Sequence, residues 1–119
     1  MKILSLRQPW AHLVVFGSKD IENRTWSTSY RGPFLVHASL VIDKEACREH
    51  GLDAAELDRG GVIGMAEIVD VVTQHRSKWF MGPHGFVLRN RRPLPFVAWK
   101  GGLGLRNAPP KLLRRIHVV

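Results

Sequence analysis

The chain has 119 residues, the size of one domain, and its 45% hydrophobic content suits a single packed core. Eighteen Lys and Arg against ten Asp and Glu leave a net charge of +8, which favours polyanionic partners such as nucleic acid. Cys47 is the sole cysteine, so no internal disulfide forms and a reducing, cytoplasmic setting fits; the start is too polar for a signal peptide, and no run is long enough to span a bilayer.

Lys2 to Leu6 reads as a first strand. Arg7 to Gly17 then reads as a helix of about two turns, with Gln8 at the cap, Pro9 in the first turn and Gly17 as the stop. Trp10, Leu13 and Val14 share its apolar face, and His12 lies off that stripe, toward solvent. Residues 20 to 25 alternate as a short strand, so Asp20, Glu22 and Arg24 fall on one face and Ile21 turns to the core. Charges at this spacing form either an ordinary solvated face, worth roughly 0–1 kcal/mol per exposed ion pair, or one wall of a polar binding cleft.

Pro33 to Ala38 reads as a buried strand after a Gly32-Pro33 turn. His37 within it is either hydrogen-bonded structure or a residue lining the same cleft. Asp43 to Gly51 forms a short helix capped by Asp43, with Cys47 half-buried on it. Residues 52 to 60 add a helical turn. Gly61 to Thr73 is the strongest strand signal, being β-branched and apolar on both faces as in the centre of a sheet. Glu67 interrupts it and requires a partner, for which Lys19, Arg24 and His37 are the candidates, or else lies exposed at an edge.

Lys78 to Phe86 is an aromatic loop in which Trp79 either stacks on a base or plugs one end of a small barrel. Phe86 to Leu88 is a further strand, followed by Arg89, Arg91 and Arg92 and broken by Pro93 and Pro95. Lys100 to Gly104 is a Gly-rich turn into a last short strand; it lacks the Gly-Lys-Ser/Thr of a phosphate loop. Pro109-Pro110 opens a short basic helix to His117. No metal-ligand spacing and no Gly-x-Ser-x-Gly motif is present, so neither a metal nor a cofactor is expected.

Taken together, several segments resemble the ASCH domain of the PUA-like superfamily. They are Ser5 to Ala11, Gly17 to Arg24, Trp26, Tyr30 to Pro33, Val36 to Ala38, Gly61 to Gly64 with Glu67 and Asp70, and Trp79 to Pro83. Gly17-x-Lys19-x-x-Glu22-x-Arg24 matches the domain's signature, and the chain is similar to small bacterial ASCH proteins and EOLA-type relatives. The resemblance covers nearly all of residues 1–119, read as one ASCH domain. It implies an α+β fold, a PUA-like small mixed β-barrel with short helices packed on its outside. It also implies RNA, a nucleotide or a modified nucleoside as partner, and no membrane.

Some relatives are amidohydrolases on N4-acetylcytidine with a Thr-Lys-Glu set, and others are described as ribonucleases. Here Glu22 stands where the amidohydrolase pattern has its threonine, so the acyl-enzyme route does not carry over. The leading expectation is a binding module whose cleft draws on Gln8, Trp10, Lys19, Glu22, Arg24, Trp26, Tyr30, Arg31, His37, Glu67 and Trp79. The alternative is a hydrolase with Lys19 as base and Glu22 or Glu67 as proton shuttle. A domain that works through a protein partner is the third reading.

Overall fold

A computed structural model describes residues 1–116 of the chain. Its centre is β4 (Gly61–Val72), hydrogen-bonded on one side to β3 (Gly32–Ile42) and on the other to β5 (His84–Ala98), both antiparallel. Strand β1 (Lys2–Gln8) lies parallel to β3, β6 (Arg106–Asn107) pairs with β1, and β2 (Ile21–Arg24) pairs with β5. The order across the six-stranded sheet is β2-β5-β4-β3-β1-β6.

Both faces of this sheet are covered, which explains the unbroken apolar run of β4. Leu4, Leu6, Phe34, Val36, Ile63 and Phe86 pack on one face, with α1 (Trp10–Val15) against them. Ile3, Leu35, Val62, Met65, Leu94 and Val97 pack on the other, where α3 (Pro110–Leu113) contributes Leu112. The alternation Ile3/Leu4 and Leu35/Val36 is the period-two signature of strands buried on both sides.

The ladder does not close. No pairing joins β2 to β1 or β6 among the described residues, so the expected barrel is instead a curled, open sheet. Register shifts between Val62 and Gly64, Met65 and Glu67, and Ile68 and Asp70 supply bends. They bring β2 close to β1 without strand pairing. A side chain spans the gap: Arg24 Nη2 donates to the carbonyl of Ser5 at 2.9 Å.

Helix α1 buries Ala11, Val14 and Val15; of the expected Trp10, Leu13 and Val14, Val14 is fully buried and the other two are partly exposed. Gly64 explains the rotation. A Cβ there would lie 2.7 Å from the Val15 methyls, so the glycine opens a groove for Val15 and swings Trp10 outward. The cap position falls to Pro9 rather than the expected Gln8, which ends β1 one residue earlier; its Oε1 still accepts from His12 N, in the first turn, at 2.9 Å.

Strand β5 runs straight through Pro93 and Pro95, which do not break it. Strand β2 pairs only with His84 to Val87, so among the described residues the outer edge of β5 beyond that point has no strand beside it and tolerates residues without an N–H. Asp43 caps α2 (Lys44–Glu49) through Ala46 N at 3.0 Å, as expected, and a single 3₁₀ turn follows at Ala54–Glu56. Cys47 is fully buried rather than half-buried, and burial pushes its thiol pKa up. The helix expected to reach His117 is observed at Pro110–Leu113; His117 lies outside the described residues. Among the described residues no helix is long and apolar enough to cross a membrane.

Candidate functional site

The seam between β1 and β2 is where the charged side chains collect. Lys19 sits in the turn from α1 into β2, anchored by its N–H to Leu13 O at 3.1 Å. Glu22 and Arg24 follow on β2, two residues apart and therefore on one face. Glu22 Oε1 lies 3.3 Å from Lys19 Nζ, and Oε2 lies 2.9 Å from both Arg24 Nε and Nη2. Lys19 Nζ also donates to the carbonyl of Ile21. Lys19 is 4% exposed and Glu22 7%, so the carboxylate answers two cations in a place where water does little. Stripping ions of water costs several kcal/mol apiece, so the two buried charges, Lys19 and Glu22, must be paired, while Arg24 keeps part of its side chain in water. One carboxylate between two cations leaves the trio with a net positive charge.

Two hollows meet over this trio. One of about 390 Å³ is lined by Trp10, Lys19, Glu22, Asn23, His50, Lys78, Trp79 and Met81. The other, about 470 Å³, is lined by Ser5, Arg7, Trp10, Glu22, Asn23, Arg24, Thr25 and Trp26. Trp10, turned outward by the packing of α1, stands at their junction with Glu22 and Asn23. The His50 ring lies edge-on to Trp10 at 5.7 Å and stacks on Trp79 at 5.4 Å, making an aromatic wall. The Trp26 and Phe86 rings meet in a T-shaped contact at 5.2 Å, and the Arg24 guanidinium lies over the Trp26 ring at 5.8 Å.

The expected residues thus divide. Trp10, Lys19, Glu22, Arg24, Trp26 and Trp79 come together along the seam. Gln8 does not: it is fully buried, and its Nε2 donates to Asp58 O at 2.7 Å while its oxygen accepts from His12 N in α1. Tyr30 and Arg31 lie elsewhere too. The Tyr30 hydroxyl donates to Pro33 O at 2.6 Å, and Arg31 Nη2 reaches Asp70 at 3.8 Å in an exposed pair. Burial, and then the charge of Glu67, raise the Tyr30 pKa.

Glu67 is not in the cleft, and none of Lys19, Arg24 or His37 is its partner. Its carboxylate accepts from Asn90 Nδ2 at 2.6 Å, above a separate hollow with Pro33 and Arg92. Strand β5 lies between β4 and β2, which keeps Glu67 on β4 apart from the seam. His37 is also outside it. The ring is 1% exposed; Nε2–H donates to Trp99 O at 2.7 Å, leaving Nδ1 to accept from the Ser5 hydroxyl at 3.0 Å. Burial lowers its pKa, the Trp99 carbonyl offsets part of this, and Arg106 lowers it further.

Asn23, His50 and Arg7 are among the seam residues that went unassigned in the sequence. Asn23 Nδ2 donates to Trp79 O at 2.9 Å, and its Oδ1 accepts from Met81 N at 2.8 Å and Gly82 N at 3.1 Å. It therefore holds the loop that carries Trp79. His50 comes from the end of α2, and no local pattern links it to β2. Arg7 lay inside a recognised segment, but alternation along β1 was the only sign that it points out beside Ser5.

A small α+β domain with a charged, tryptophan-walled seam beside its first helix defines the class. The ASCH domain profile matches residues 4–101, and the chain belongs to that family. Activating signal cointegrator 1 of Homo sapiens is 30% identical over 87 residues, 63% of this chain. The match spans only 15% of that relative's length. Among solved structures, the ASCH protein of Zymomonas mobilis superposes with a TM-score of 0.65 at 14% identity, over 98% of this chain and 95% of that one. A single-residue mutant of it, covered over 98% of both chains, gives 0.67 at 15% identity. At such identities the likeness is one of fold.

Proposed function

We propose that this ASCH domain binds RNA or a nucleotide in the seam between β1 and β2. The observation that carries the reading is the Lys19–Glu22–Arg24 trio, its first two members buried and Arg24 partly exposed, at the junction of two hollows walled by Trp10, Trp26 and Trp79. Tryptophan faces take bases of any sequence by stacking, worth about 1–3 kcal/mol each. Glu22 keeps lone pairs beyond those used by Lys19 and Arg24, and these accept from an exocyclic amine such as that of cytosine. Arg24 offers a planar donor edge at the same rim. The net charge of +8 adds attraction to a phosphate backbone.

The test is an anisotropy titration of a labelled oligoribonucleotide at low salt. Wild type binds, and Trp79→Ala and Arg24→Gln each lose at least tenfold in affinity (about 1.4 kcal/mol), with folding checked by circular dichroism. Absence of wild-type binding, or equal binding by both variants, rejects the site.

The contact between Lys19 and Glu22 supports a second, hydrolytic reading. Glu22 would take a proton from water while Lys19 steadies the oxyanion of an N4-acylated cytidine. Water then adds to the acyl carbon, the C–N bond breaks, and the proton passes to the departing amine. Incubation with N4-acetylcytidine discriminates: cytidine and acetate appearing in step, and abolished in Glu22→Gln, would place this reading first.

A further inference from the structure

The two hollows differ in chemistry, and that difference orients a ligand. The first is dominated by the Trp10–His50–Trp79 wall and the thioether of Met81, a setting for a flat ring; its lysines are engaged, Lys19 by Glu22 and Lys78 over the Trp79 ring at 5.2 Å. The second offers Arg7 and Arg24 with the hydroxyl of Thr25, a setting for an anion. Arg24 already spends N–H groups on Glu22 and on the Ser5 carbonyl. Arg7 spends none: it is exposed, and among the described residues its guanidinium has no hydrogen bond and no ion pair. An anion entering here does not meet a bare carboxylate, because Glu22 is answered by Lys19 and Arg24.

Building on the nucleotide-binding reading above, we infer that the site takes a nucleoside together with an attached phosphate. The base lies in the aromatic hollow, and the phosphate lies in the second, against Arg7 and the free edge of Arg24. Trp10 and Asn23, common to both hollows, stand where the sugar passes between them, and Glu22, also common to both, faces the base from the same junction. Arg7 is then the residue that separates a nucleotide from a nucleoside. Its planar fork suits phosphate oxygens two at a time, and its lack of other partners leaves it free to turn onto them.

The probes are the four common ribonucleosides, their 5′- and 3′-monophosphates, inorganic phosphate and a short oligoribonucleotide, titrated by calorimetry at one fixed ionic strength. At least one monophosphate binds tenfold or more tightly than its own nucleoside. Arg7→Ala brings that ratio to within about threefold of unity, whereas Lys111→Ala, which removes an exposed cation on the opposite face, leaves it intact. Comparison of the oligoribonucleotide with the best monophosphate separates an RNA chain from a free nucleotide as the source of that phosphate. Equal affinity for nucleoside and monophosphate, or an unchanged ratio in Arg7→Ala, overturns the orientation while leaving nucleoside binding at the seam standing. Binding of none of the nucleosides, nucleotides or RNA overturns both readings, and tight binding of inorganic phosphate alone overturns the base half.

Discussion

Asn23 on β2 reaches across 56 residues of sequence to hold Trp79 by its backbone carbonyl, at 2.9 Å. The same side chain accepts from the N–H groups of Met81 and Gly82, at 2.8 and 3.1 Å. The aromatic loop is thus positioned by an amide that sits beside Glu22. Asn23→Ala removes all three bonds and leaves two backbone donors without a protein partner, at a cost of about 1–2 kcal/mol in stability. We expect RNA affinity to drop about fivefold or more as Trp79 loses its placement. Unfolding in urea and anisotropy titration on the same preparation check both, and unchanged affinity would show that the loop keeps its position without Asn23.

Glu22→Gln leaves Lys19 and Arg24 facing each other with no carboxylate between them. Breaking a buried pair from one side is costly, and about 3 kcal/mol of destabilisation is expected. Adding Lys19→Met to Glu22→Gln recovers part of the loss, because the stranded ammonium is gone. Urea denaturation of the single and double variants measures this, and a loss under about 1 kcal/mol in the single variant would mean that water reaches the trio freely.

Binding of RNA should weaken steeply with salt. No acidic residue follows Asp70, and residues 71–119 hold ten of the eighteen Lys and Arg. If three phosphates are neutralised on a single strand, the plot of log affinity against log salt has a slope of about −2. A flat plot between 50 and 200 mM salt (about the range over which such effects are read) would mean that the basic surplus takes no part in binding.

The fold should lose stability below neutrality through His37. Its folded-state pKa is held below the ordinary 6.5 by burial, with the Trp99 carbonyl opposing and Arg106 assisting. As pH falls through 6.5 the unfolded chain takes up a proton that the folded chain refuses, so unfolding becomes easier. Burial lowers His12 in the same sense, with Asp58 opposing. Thermal midpoints recorded between about pH 7.5 and 5.5, a range spanning ordinary histidine titration, should fall with pH. The fall should be shallower in His37→Gln, with the His12 share remaining. An identical slope in the variant would assign the pH effect to other groups.

Gly64→Ala tests the packing that turns Trp10 toward the seam. The added Cβ would meet Arg92 O at 2.4 Å and the Val15 methyls at 2.7 Å. Overpacking of this kind typically costs about 1–3 kcal/mol, and here one contact is backbone and has little room to yield. We expect a loss toward the upper end of that range in urea denaturation, together with a shifted Trp10 emission. A variant as stable as wild type would show that α1 and β4 separate easily.

What the sequence determined by itself is local. Period-two alternation is imposed by backbone geometry within a few residues, so Glu22 and Arg24 were bound to share a face once residues 21–24 became a strand. The same holds for the Asp43 cap and the β-branched run that became β4. Only the tertiary structure decided which of those faces meet. The bulges along β4 and β5 set how far the sheet curls, and the curl sets the seam between β1 and β2. It gathers Arg7, Asn23, His50 and Trp79 around the trio and sends Glu67 and His37 elsewhere. Encounters between residues dozens of positions apart depend on the summed bends of the strands between them, and no short stretch of sequence contains that sum.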